Sequence, residues 1–230
     1  MVRGTLVGML AIGLLVASSA SAQSFTMLNF TGFMYEEDNA SEVVGFPPSN
    51  PGDVLAAVAF IESIGPELDW NTDEVELTLV LYDLVSVGEV DIGGISYIEY
   101  VGGALDVVAD AYTESWYTAP VYGTDPPNAT APPNFWDGEI YLHGEFFVFY
   151  MTYSPTLHTG SFQGTLNWTG GTQLNSLYYG YEGYTIAGTV DPFAAQVPTG
   201  YDLEQVGHVT FDPVIPVEET TWGQVKDLYR

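Results

Sequence analysis

The side chains that could do chemistry are unevenly supplied in this 230-residue chain. It has three histidines (His143, His158 and His208), no cysteine, and 30 Asp+Glu against 3 Lys+Arg. His143-Gly144-Glu145 places an imidazole and a carboxylate on one strand face, because side chains two apart share a face. A cupin-type metal set needs a second histidine where Glu145 stands, and no H-x-x-x-H spacing occurs, so His143 reads as an ordinary strand residue. Serine catalysis would need a Gly-x-Ser-x-Gly elbow or its equivalent. Gly160-Ser161-Phe162 instead begins a strand pattern. The absence of cysteine removes thiolate zinc sites, iron–sulfur clusters, disulfide scaffolds and cysteine nucleophiles. Arg3, Lys226 and Arg230 are the only cations, so the body has no guanidinium or ammonium to clamp an oxyanion or a phosphate. No catalytic residue is assigned.

The acids allow two uses. Glu114, Asp137, Glu139 and Glu145 lie near aromatic residues, and paired carboxylates are the equipment of glycoside hydrolysis. With 30 acids chance pairs are expected, and solvated carboxylates on outer strand faces are the plainer reading. Ca²⁺ would employ them better, since it takes six to eight oxygens. Asp137 and Glu139, in Asp137-Gly138-Glu139, are the candidate ligands, with Glu36-Glu37-Asp38-Asn39 as a second cluster; neither follows the EF-hand spacing. No other cofactor is implied.

The aromatics are the remaining signal. Trp116, Tyr117, Tyr122, Phe135 and Trp136 fall in or beside one long loop, and Tyr178, Tyr179 and Tyr184 beside another. Exposed planar rings stack on sugar faces, so the first five are candidate ligand-binding residues for a glycan. The alternative is that these rings cap the ends of the domain.

The elements that must position these residues read as strands. Tyr, Phe, Val, Thr and Ile recur, punctuated by Gly and Pro every ten to fifteen residues. Strands are predicted over 25–35, 54–64, 75–85, 95–101, 104–112, 139–153, 161–168, 184–190 and 206–211. Alternation is clearest in Glu76 to Tyr82, where Leu77, Leu79 and Leu81 share a face. Residues 54–64 would also suit a short buried helix capped by Asp53, but Gly65-Pro66 closes the run as a strand. Gly102-Gly103 between two strand patterns predicts a two-residue hairpin. Residues 114–137, rich in proline, read as a long surface loop. The expected fold is all-β: one antiparallel two-layer β-sandwich or jelly-roll-like domain over 23–212, a proline-containing linker over 213–219, and a short helical tail over 220–230. In that tail Trp222, Val225 and Tyr229 share a helical face.

Arg3, the apolar run Leu6 to Val16 and the small residues ending at Ala20-Ser21-Ala22 make a signal peptide over 1–22. Export without cysteine points to a bacterial product; the four N-x-S/T sequons, at Asn29, Asn39, Asn128 and Asn167, would matter only in a glycosylating host. A formal charge of −27 repels phosphate backbones and excludes nucleic acid as a partner. A hydrophobic share of 47% is enough to build a core, which excludes wholesale disorder. After the signal no apolar segment is long enough to form a membrane helix. An outer-membrane barrel is disfavoured because regular strands of about ten residues with short turns are not evident. The acidity suits solubility or a saline habitat equally well.

Two resemblances complete the reading. Thr221-Trp222-Gly223-Gln224-Val225-Lys226-Asp227-Leu228-Tyr229-Arg230 resembles a recurrent C-terminal ending of exported bacterial proteins, T-W-G-x-[IV]-K-x-L-[YF]-R. That resemblance implies a sorting or attachment signal carried by Trp222, Gly223, Val225, Lys226, Leu228 and Tyr229; the alternative is a helix that packs Trp222 on the domain. Pro51-Gly52-Asp53-Val54-Leu55, Trp70 with Glu76-Leu77-Thr78, and Gly160 to Thr172 resemble poorly characterised secreted bacterial β-sandwich proteins. The expected function is a secreted or cell-surface, non-enzymatic module with a structural, adhesive or interaction role. Its partner would be a glycan or a surface protein. A carbohydrate-binding module is the alternative, and a secreted glycan-active hydrolase the third.

Overall fold

The computed structural model describes residues 24–38, 46–112, 135–192, 197–198 and 200–212. The expected signal peptide, the 113–134 segment and the expected linker and tail beyond Asp212 lie outside the described residues. Eight strands follow one another: β1 (Phe25–Glu37), β2 (Val54–Ile64), β3 (Val75–Asp91), β4 (Ser96–Ala111), β5 (Glu139–Ser154), β6 (Thr159–Gly170), β7 (Tyr184–Asp191) and β8 (Leu203–Phe211). Each pairs antiparallel with the next, and β8 returns to β1, so the sheet closes into a barrel. A 3₁₀ turn, Leu174–Ser176, lies between β6 and β7.

The sandwich expectation is therefore corrected. Its strand alternation was right, but one sheet curls until Phe25 meets Phe211 and Met34 meets Leu203. A sandwich and a barrel share the same period-2 pattern, and only the pairing of first and last strands separates them. The premise used against a membrane barrel, irregular strands, is also corrected, since the strands run 8 to 17 residues. Membrane barrels turn apolar residues outward and polar residues inward. Here Leu28, Phe30, Leu79, Leu105, Phe149, Phe162, Leu166 and Ile186 fill the interior at 2% exposure or less. Glu62, Asp83, Glu99, Glu139 and Glu145 are exposed. No helix among the described residues is long and apolar enough to cross a membrane.

The predicted hairpin at Gly102-Gly103 is a second correction. Residues 96–111 form one strand, and both glycines hold positive φ (71° and 83°) inside it, opposite Asp83 at φ 57°. A Cβ on Gly103 would lie 2.5 Å from Leu84 side-chain atoms. The pair is thus a kink that lets β4 bend around the barrel. The actual two-residue turn is Gly93-Gly94, closed by Ile92 N–H donating to the Ile95 carbonyl (2.8 Å). The 54–64 strand and its stop at Gly65-Pro66 form as expected.

A second apolar cluster lies on the outside of β1–β3, because alternation turns Phe33, Tyr35, Val58 and Val80 away from the interior. Phe135 and Tyr201 cover it.

Candidate functional site

That outer cluster positions the one constellation of aromatic, carboxylate and imidazole groups on the wall. Asp106 of β4 and His143 of β5 are direct cross-strand partners. Their side chains meet at 2.6 Å, His143 Nδ1 to Asp106 Oδ1. Asp106 is buried and His143 about one-third exposed. An ionised carboxylate only accepts, so Nδ1 carries the proton and Nε2 is left as the imidazole's second polar atom. From β3, the Tyr82 hydroxyl donates to Asp106 Oδ2 at 3.2 Å. Burial, reinforced by the Asp106 charge, pushes the Tyr82 phenol up to about 12, so it stays a donor.

Trp136 packs on Tyr82 with ring centroids 5.0 Å apart and planes 52° apart. It keeps 44% of its surface exposed. The residue before it anchors it: Phe135 is fully buried against Phe60 (5.3 Å), and its carbonyl accepts from Thr78 Oγ1 (3.1 Å). Of the candidate ligand-binding residues, then, Trp136 presents a ring and Phe135 holds it in place. Trp116, Tyr117 and Tyr122 lie outside the described residues, as do the tail residues Trp222 to Tyr229. His143 is a residue of strand β5, as expected, and its Nδ1 is hydrogen-bonded to Asp106.

Both candidate calcium ligands, Asp137 and Glu139, are exposed. Asp137 is hydrogen-bonded to Asp110, whose carboxyl is pushed up to about 6 by burial and by the neighbouring charge. Glu139 sits exposed at the start of β5, opposite Ala109. Among the described residues no three His, Asp or Glu side chains converge as a metal site. The Glu36 to Asn39 cluster also divides. Glu36 shares the inward face of Phe30 and Met34, and Tyr100 donates to its Oε2 at 2.6 Å; Asn39 lies outside the described residues.

This polar mouth of the barrel was not foreseen. Ser49 and Ser86 hydroxyls meet at 2.7 Å, Ser96 donates to Glu89, and Asp202 accepts from the Glu36 N–H at 2.9 Å. Burial first, then the Asp53 and Asp202 charges, raise Glu36 to about 7 against the Tyr100 and Ser49 hydrogen bonds that lower it. Burial likewise raises Asp202 to about 6. Extending the inward alternation of Leu28, Phe30 and Met34 by one more step would have marked Glu36.

No protein-family model matches the chain, and neither a curated protein nor a solved structure is significantly similar to it.

Proposed function

We propose that this is an exported, non-enzymatic barrel protein of the cell surface or extracellular space, with an adhesive or interaction role exerted through its outer wall. The observation that carries this reading is the filled interior. Trp168, Tyr100, Phe149 and Phe162 occupy the space in which an eight-stranded barrel could otherwise hold a small ligand, so contacts fall to the exterior. The inward apolar, outward acidic arrangement supports a barrel that works in water, and the apolar run with its small-residue site at Ala20 to Ala22 supports export.

Trp136 favours one kind of partner, a neutral glycan. An exposed ring on a fixed aromatic base, beside the Asp106–His143 pair, offers a stacking face together with the His143 Nε2 as an acceptor for a sugar hydroxyl. A panel of soluble oligosaccharides titrated onto the folded chain tests this. Trp136→Ala should weaken any sugar that binds at least tenfold, about 1.4 kcal/mol, with the far-ultraviolet spectrum unchanged. A panel in which no sugar binds would sink the glycan reading and leave a protein partner, and a sugar that binds both chains equally would take the site away from Trp136.

The ending Thr221 to Arg230 is proposed to direct sorting, on the strength of its match to the recurrent motif. Removing residues 222–230 should change where the protein accumulates while leaving its unfolding midpoint in place.

A further inference from the structure

We propose that the overhanging edge of the β3–β4 hairpin is a docking edge for an extended cationic peptide segment, which joins β3 as an added strand. Although the barrel is closed, β3 overruns its neighbour β2 at the hairpin end. Pairing of β2 with β3 ends at Val54 opposite Val85. One further step is taken by the segment before β2: Gly52 N–H donates to the Ser86 carbonyl (2.9 Å), and Ser86 N–H to the Asp53 carbonyl (2.8 Å). Beyond Ser86, β3 continues to Asp91 with β4 as its only strand neighbour; Pro51 lies against Gly88, and the Ser49 N–H donates to Glu89 Oε2 at 3.3 Å, but neither takes up a β3 backbone group.

The turn sets which groups face the open side. Ile92 N–H donates to the Ile95 carbonyl, so those two form a bonded pair. Antiparallel pairs alternate, so Val90 with Tyr97 and Gly88 with Glu99 are the next bonded pairs. Glu89 and Asp91 therefore turn their N–H and C=O groups away from β4, and no described residue takes them up. A groove of about 540 Å³ lies along this edge, with Pro48 to Pro51 as its other bank.

Proteins usually blunt such an edge with lysine or proline, and Val87 to Asp91 contains neither. Val87, Val90 and Ile92 are instead 52%, 58% and 61% exposed. Charge chooses the occupant. Asp91 and Glu99 line the groove, and the described residues include no lysine or arginine to pair with them. A second copy of the chain, itself at −27, is repelled; a strand that alternates lysine with an apolar residue sets its lysines on the face of Asp91 and its apolar residues on the face of Val90.

The test uses an alternating lysine–valine heptapeptide and the same peptide N-methylated at alternate residues, which keeps the charge and removes the ladder donors. Binding to the full chain is followed by fluorescence anisotropy, and its location by hydrogen exchange. Strand addition predicts at least tenfold weaker binding of the methylated peptide. It also predicts slowed exchange confined to the segment around Glu89 and Asp91. Asp91→Pro deletes an edge donor that β4 does not use together with a carboxylate, and should weaken the unmethylated peptide more than Asp91→Asn, which removes the charge alone. Glu99→Lys, a surface change, should weaken both peptides. Equal affinity for the two peptides, or binding with no change in exchange at Val87 to Asp91, would mean attraction by net charge only and would overturn the proposal.

Discussion

Glu36→Gln removes one buried ionisation at the mouth of the barrel and keeps an acceptor for Tyr100. In the folded chain the Glu36 carboxyl lies at about 7 instead of its ordinary 4.5, because burial and the Asp53 and Asp202 charges disfavour the anion. The native state therefore holds a proton that the unfolded chain has already released between those values. Stability is at its full value below pH 4.5 and falls as pH rises through 7. A shift of about 2.5 units, at about 1.36 kcal/mol per unit, makes the loss about 3 kcal/mol above pH 8. The glutamine variant carries no charge to bury, so it should match the parent at pH 4 and exceed it by about 3 kcal/mol at pH 8. Urea unfolding followed by tryptophan fluorescence, repeated from pH 4 to 8, measures both curves. Their difference isolates Glu36 with its coupling to Asp202, which is raised in the same sense to about 6. A difference that stays flat across this range, or a parent chain that gains stability with pH through Glu36, would refute the reasoning.

Two further outcomes follow from packing. Phe149 stacks on Phe162 at 5.9 Å and meets Phe146 and Tyr100 edge-on, so Phe149→Ala should cost about 3–5 kcal/mol in denaturant unfolding. At Gly32 a Cβ would overlap the Val58 carbonyl and the Ala59 Cα, both backbone atoms of β2 that a rotamer change cannot move. Gly32→Ala should therefore lower the unfolding midpoint more than alanine at the exposed Thr189, read from the same melting curves.

The candidate site was legible only in fragments. Trp136 stood out as an aromatic residue of a loop, and that reading leads to the ring that the wall exposes. Phe135, its neighbour, looked equivalent and is buried, because nothing in a loop sequence says which of two adjacent rings meets Phe60. His143 was visible but its partner was not: Asp106 lies 37 positions away, and the cross-strand register that joins them is a property of the sheet. The acidic run at Glu36 suggested a cation, yet alternation sends Glu36 into the barrel mouth under Tyr100.

By itself the sequence determined an all-β chain, most of its strand positions and the faces they bury. Leu77, Leu79 and Leu81 share an inward face in the structure as they do in the pattern. Period-2 alternation follows from local backbone geometry, which is why it survives into the fold. Closure was decided by tertiary structure alone. The pairing of Phe25 with Phe211 joins residues at opposite ends of the described chain, and no local pattern separates it from a sandwich. The same holds for the two glycine pairs. Gly93-Gly94 turns the chain and Gly102-Gly103 bends it, because the register of β3 against β4 sets which pair reaches the hairpin end.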